Sequence, residues 1–403
     1  MARTYVADVT LFDGHKVHRR RGVLIDGDRI GWVGPHSRAP REARTSRTVD
    51  GIGRTLVPGL IDCHAHLNFD GGADFAREAA EMDLPLATIK STVNARKHIA
   101  SGVTTVRDLG GLGTCQLAGA IDRGMVPGPR LVAAGRALTV TGGHGHSVGF
   151  AREVDGADDV RRAVRQEIKA GARAIKVVAT GGVLTPGIGA TFTAFTPDEI
   201  GAAVDEAHAW GRAVAAHAIG GEGVTNSVRA GVDSVEHCVQ LTRATAQLMA
   251  ERGTFRGPTL SAALGLVEHP KEVPDYAIEK ISSVLDDAER AQALAMRLGV
   301  RHVCSTDAGT PFNPHGSAPL ELARMVAWGM KPLDAMVAGT SSGAELVRLP
   351  DVGVVREGAL ADLVLYDANP VDDIAALRSP RTVWKSGEVV SGRASARSKA
   401  ART

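Results

Sequence analysis

A chain of 403 residues is too long for one average domain and long enough for a β/α barrel of about 250 residues beside a smaller unit. Its 44% hydrophobic and 23% charged content is that of a globular protein with a substantial core. A formal net charge of +2, with no basic patch interleaved with aromatics, argues against nucleic-acid binding; no run approaches about 18 uninterrupted apolar residues, which argues against a membrane span.

The first 57 residues alternate apolar and polar side chains, with turn signals at Asp13-Gly14, Asp26-Gly27 and Gly51-Ile52-Gly53. That pattern predicts several short antiparallel strands. From residue 58 to 347, short apolar runs alternate with longer stretches of helical spacing. Strands are expected at Leu60–Ile61, Thr104–Val106, Leu131–Ala134, Ala174–Val178, Ala213–Ala216, Ser234–Val235, Thr254–Leu260 and Arg301–Cys304. Thr196, followed by Pro197, Asp198 and Glu199, reads as a helix N-cap. Eight strand–helix repeats predict an α/β fold, a (β/α)8 TIM barrel with its active site at the carboxyl ends of the strands.

Alternation returns from residue 348 to 390, in Val352–Val355, Ala361–Tyr366 and Thr382–Lys385. A small β-sandwich is therefore expected from residues 1–57 plus 348–390. The tail 391–403, rich in Arg, Ser and Ala without an apolar period, is expected to be disordered. The amino terminus lacks the apolar stretch of a secretory signal, and Cys63, Cys115, Cys238 and Cys304 show no paired spacing. Reduced thiols in a cytoplasmic protein are expected.

Five fragments place metal-ligating residue types at strand ends. His64 and His66 stand two apart, so extended backbone can turn both imidazoles to one ion. Lys176 interrupts the apolar run Ala174-Ile175-Lys176-Val177-Val178, where burial should lower its pKa. A neutral amine there can take up carbon dioxide as a carbamate able to bridge two cations; the plain alternative is a lysine reaching out to water. His217 and His237 end two consecutive strands and fit a second ion better than two unrelated core histidines. Asp307 ends the eighth strand; it can cap the next helix, or bind an ion and exchange a proton with water. Glu236 can orient a neighbouring ligand or serve as an ion-pair partner within the barrel.

Gly-rich loops follow the third and fourth strands. In Thr141-Gly142-Gly143-His144-Gly145-His146, either His144 or His146 can hydrogen-bond a substrate carbonyl; Gly181 and Gly182 let the backbone approach a ligand. His315, on the loop after strand eight, is a further candidate substrate contact.

These fragments, in this order, resemble the amidohydrolase superfamily over nearly the whole chain. The resemblance runs from Val57-Pro58-Gly59-Leu60-Ile61-Asp62-Cys63-His64-Ala65-His66 through Ile175-Lys176-Val177, Val235-Glu236-His237 and Thr306-Asp307-Ala308-Gly309 to Gly358-Ala359-Leu360-Ala361-Asp362-Leu363-Val364. It is similar to the branch holding Xaa-Pro and Xaa-Arg/Lys dipeptidases, ochratoxinase-like amidases and imidazolonepropionase-like hydrolases. The resemblance implies two divalent ions, zinc above all. His64, His66 and Asp307 would hold one and His217 and His237 the other, with N-carboxylated Lys176 and a hydroxide bridging both. It also implies that His144 polarises the substrate. In dipeptidases of this branch a tyrosine often stands two residues past the strand-five histidine; here that place holds Ile219.

The expected activity is hydrolysis of a C–N amide bond in a dipeptide, N-acyl amino acid or related small amide. Alternatives are a mononuclear cyclic-amide hydrolase or deaminase, with Glu222 as its acid, and a metal-free scaffold. The expected partners are the small amide and further copies of this chain.

Overall fold

Strand pairing in the computed structural model, which describes residues 3–392, divides the chain into one mixed sheet and two parallel ones. The mixed sheet draws Thr4–Phe12, Val17–Asp26, Arg29–Pro35, Arg47–Asp50 and Thr55–Pro58 from one end of the chain. Leu363–Tyr366, Pro380–Lys385 and Glu388–Gly392 come from the other. The ends join where Thr55–Pro58 runs antiparallel to Leu363–Tyr366, with Pro58 opposite Leu363. Val6, Leu11, Val23, Ile25, Leu365 and Trp384 bury the apolar face of this sheet, as the period-two pattern requires.

Two details depart from expectation. Residues 352–355 form turns rather than a strand, because Gly353 sits at φ +68°; the Val355 N–H bonds the Asp13 carbonyl instead. Ser391 and Gly392, assigned to the tail, finish the last strand, and Gly392 lies opposite Thr382. The rest of the expected disordered tail, 393–403, lies outside the described residues.

Between the two ends the chain alternates strand and helix. Leu60–Ala65, Val103–Asp108 and Arg130–Ala133 form a three-stranded parallel sheet. Ala174–Val178, Ala213–Ala218, Ser234–His237 and Phe255–Gly257 run parallel in the second, with short Ala137–Thr139 and Ala151–Glu153 at its edge. Both faces of these strands are covered, so they read as nearly continuous apolar runs. The Arg173 N–H bonds the Ala133 carbonyl across the gap between the sheets. On the other side, residues 301–308 bond Arg256 through Val303 N–H, and Leu60–Ala65 through bonds to Cys63 and His64.

The expected eighth strand is thus held by isolated bridges, Arg256–His302 and Ala65–Ala308, rather than by a regular ladder. Asp307 at φ +58° breaks the pleat there. The expected strand Thr254–Leu260 also ends early, at Gly257. Pro258 has no N–H to give, and Thr259 at φ +52° turns the chain into the helix Leu260–Glu268. Thr196 caps its helix as expected, and its backbone N–H bonds Glu199 in return (2.8 Å), completing a capping box. All four cysteines are free thiols, and no described helix is long and apolar enough to cross a membrane.

Candidate metal centre

The carboxyl ends of the parallel strands gather the ligating residue types around one cavity. His64 Nε2 stands 3.3 Å from His66 Nε2, and both lie 3.2 Å from Asp307 Oδ1. Ligand bonds of about 2.0–2.1 Å to a tetrahedral zinc imply donor-to-donor edges of about 3.3 Å. The trio already has that spacing. Lys176 Nζ lies 3.4 Å from His64 Nε2, and the rings of His217 and His237 lie 4.5 Å apart, with His237 5.6 Å from His64.

Each histidine has one ring nitrogen engaged by the protein. Nδ1 of His64 donates to Glu236 (3.2 Å), Nδ1 of His66 to the Gly110 carbonyl (3.0 Å), and Nδ1 of His237 to the Thr259 hydroxyl (2.7 Å). His217 is turned the other way, its Nε2 donating to the Gly181 carbonyl (2.7 Å). Such bonds fix the tautomer and leave the remaining nitrogen unprotonated for a cation. Glu236 is itself fixed by Ser234 (2.6 Å) and by Arg107 (2.7 Å), both fully buried.

Electrostatics agree with this donor set at three of the four histidines, whereas His66 is drawn upward by its bond to Asp307, against the opposing push of burial. Burial, reinforced by neighbouring cations, holds His64, His217 and His237 well below the ordinary histidine range, so all three are neutral. Burial also lowers Lys176 to about 8, which makes roughly one amine in ten neutral at pH 7. Asp307 stays ionised because His64, His66 and Lys176 outweigh the upward push of its burial. Backbone strain concentrates here too: His237, Cys238, Thr259 and Asp307 all adopt positive φ.

His144 lines the same cavity. Its Nδ1 meets the Thr185 hydroxyl at 2.7 Å, and that oxygen already accepts from the Gly145 N–H. When the hydroxyl donates to Nδ1, the ring's own N–H stands at Nε2. Burial brings His144 down to about 4, so the ring is neutral at pH 7. A Cβ at residue 182 would overlap the His144 ring, which explains Gly182 as packing rather than as a substrate contact. The carbonyl of Gly181 is occupied by His217.

Three further candidates are not brought to the cavity. His146 is exposed, with Nδ1 bonded to the Gly143 carbonyl (2.8 Å). His315 is buried elsewhere, donating to the Phe69 carbonyl (2.6 Å) and bonded to His98 (3.0 Å). Glu222 is exposed beside Thr193.

Sequence reasoning missed Arg107, Thr185 and Thr259, which set the orientation of Glu236, His144 and His237. Arg107 carried a usable signal, a charge inside the buried strand Val103–Asp108. The two threonines carried none. The remaining cavity wall is apolar: Phe69, Phe150, Val183, Leu184 and Ile219, with Ile281 and Val284 from the long helix Asp275–Arg297.

A model of the amidohydrolase family matches residues 55–390. The chain is 32% identical to the ochratoxinase of Aspergillus niger, over 93% of this chain and 83% of that protein. It is 28% identical to the imidazolonepropionase of Streptomyces griseus, over 91% and 92% of the two chains. Among solved structures, a Xaa-Pro dipeptidase with methionine bound in its active site superposes with a TM-score of 0.89 at 32% identity, covering 96% of this chain and 99% of that one.

Proposed function

This chain belongs to the amidohydrolase family, and from that premise we propose that it hydrolyses a C–N amide bond of a small, largely apolar substrate at a binuclear metal centre. One observation carries the reading: four histidines, each with one nitrogen pinned by the protein, line one cavity with Asp307 and Lys176, and the rest of its wall is mostly apolar. The bonds of residues 301–308 to both flanking strands support a closed (β/α)8 barrel at 58–347, with the mixed sheet as a second domain.

His64, His66 and Asp307 would hold one divalent ion, and His217 and His237 a second. Lys176, carboxylated by carbon dioxide, would stand between them. The nitrogen-rich set favours zinc. When bound, such ions polarise a carbonyl and bring the pKa of water toward neutrality. Asp307 takes the proton of the attacking water and hands it to the departing amine nitrogen. His144 donates its Nε2 proton to the carbonyl oxygen as charge builds there. Phe69, Phe150, Ile219 and Leu184 exclude water and hold the substrate's apolar flank.

Among the described residues lining the cavity, Lys176 is the one lysine or arginine, and Ile219 replaces the carboxylate-gripping tyrosine. This favours amides whose acyl or amine side is apolar, including N-acyl amino acids, over dipeptides held by a free carboxylate. A panel of dipeptides, N-acyl amino acids and lactams, run with metal analysis, tests the proposal. Turnover of an apolar amide with two metals per chain is expected. Lactam turnover with one metal per chain would replace this reading with the mononuclear one.

A further inference from the structure

The opposite, amino-terminal end of the parallel strands holds a second cavity, of about 660 Å³. Ala174 and Ala213, the first residues of their strands, form part of its wall. Six cationic side chains line it: Arg107, Arg130, Arg173, Arg212, Arg348 and Lys385. Among the described residues, Asp122 is the one carboxylate in the lining.

Acidic partners meet four of the six. Arg107 pairs with Glu236 (2.7 Å), Arg130 with Asp362 (3.3 Å), Arg348 with Asp233 (2.9 Å), and Arg173 with Asp122. Among the described residues, Arg212 and Lys385 have no carboxylate within ion-pairing distance. Three guanidinium nitrogens are also buried without any hydrogen-bond partner: Arg107 Nη1, Arg130 Nε and Arg212 Nε. Leaving such donors unmade is costly, most of all for charged groups. A guanidinium cannot shed its proton to escape that cost. Lys385, which can, is pushed down by burial and by Arg130 beside it.

We infer that this cavity is a binding site for a multiply charged oxyanion of the phosphate class, with Arg130, Arg212 and Lys385 as its donors. Guanidinium forks match phosphate oxygens in geometry, and the cationic side chains lining one polar space supply the recognition. Arg107, at the same wall, has its Nη2 on Glu236, which orients His64. The binding itself does not depend on the amide-hydrolase reading.

Isothermal titration of inorganic phosphate into the metal-loaded protein, at ionic strength held constant with chloride, tests the inference. Saturable binding at millimolar phosphate or below is expected. The double variant Arg130→Gln/Arg212→Gln should weaken that binding at least about tenfold, the loss of one charge-assisted hydrogen bond, while metal content and basal turnover stay as in the parent. Asp307→Asn should leave it in place, which separates this site from phosphate held at the metals. If the double variant does not fold, Arg212→Gln alone serves, with the same expected direction. Equal phosphate affinity in parent and variant would overturn the inference, as would absence of saturable binding. Acetate binding as strongly as phosphate would overturn the assignment to the phosphate class.

Discussion

The two ends of the parallel strands make opposite demands on a ligand. At the carboxyl end, burial keeps His64, His217 and His237 neutral while neighbouring groups hold Asp307 ionised against its burial, so the missing charge is positive. At the amino end, guanidiniums that cannot be deprotonated surround a polar space, so the missing charge is negative. Residue chemistry makes the difference. Imidazole and amine groups adjust their protonation when desolvated, whereas arginine must find an acceptor. Arg107, Glu236 and His64 form a hydrogen-bonded line between the two ends.

The largest expected effect is at Asp307. Asp307→Asn removes the group assigned to proton transfer and should lower kcat by about 10²- to 10⁴-fold. Far-ultraviolet circular dichroism should match the parent. Arg212→Gln, at the other end, should leave kcat within about threefold, the effect of a surface change under 1 kcal/mol. Equal losses from both variants would erase the contrast between the ends.

Next comes the line that joins them. Arg107→Met leaves Glu236 charged and unpaired in the interior, and should destabilise the fold by about 3–5 kcal/mol in urea unfolding. Adding Glu236→Leu should restore part of that loss, because the two residues act as a pair. Strictly additive losses would mean that Arg107 and Glu236 support the fold separately.

Much of the carboxyl end was legible in the sequence, for a physical reason. A charged or ligating residue inside a buried strand is costly, so Lys176, His217 and His237 stand out against their apolar neighbours. The same reasoning applied to Val103–Asp108 would have exposed Arg107. His146 and His315 could not be judged this way. They lie on loops, where alternation gives no direction, and the structure turns them to the Gly143 and Phe69 carbonyls. The arginine cavity was invisible for a related reason. Its residues are far apart in the chain, and each of them but Arg107 looks alone like an ordinary surface cation. The eighth strand was expected at Arg301–Cys304, where the structure holds the chain by isolated bridges alone, and the left-handed turn at Asp307 just beyond has no signature in an aspartate.

A smaller effect is expected at Ile219, on the cavity wall. Ile219→Tyr supplies a hydroxyl for a substrate carboxylate. It should shift the ratio of kcat/KM for carboxylated over neutral amides by about tenfold, the contribution of one hydrogen bond to a charged group. An unchanged ratio would place the carboxylate site elsewhere in the cavity.

The smallest effect at neutral pH belongs to a buried histidine at each end. Burial lowers His315 to about 4 and His302 to about 3, the latter helped by Arg256. Both folded values lie below the ordinary 6.5, so between 6.5 and the folded value the unfolded chain binds more protons than the native one. Stability from each group is complete above pH 6.5 and drains away as the pH falls, at no more than about 1.4 kcal/mol per pH unit. His302 separates this effect from metal loss, because it stands at the amino end and bonds the Val300 carbonyl (2.9 Å). In urea unfolding of metal-loaded protein from pH 7 to 4.5, His302→Gln should match the parent's trend above pH 6.5 and fall less steeply below it. His315→Gln should flatten the same limb but also disturb the bond to Phe69 next to the cavity, and so alter KM. Identical acid limbs in His302→Gln and the parent would mean that His302 is protonated within the fold, with Nε2, now unpartnered, bonded to an acceptor.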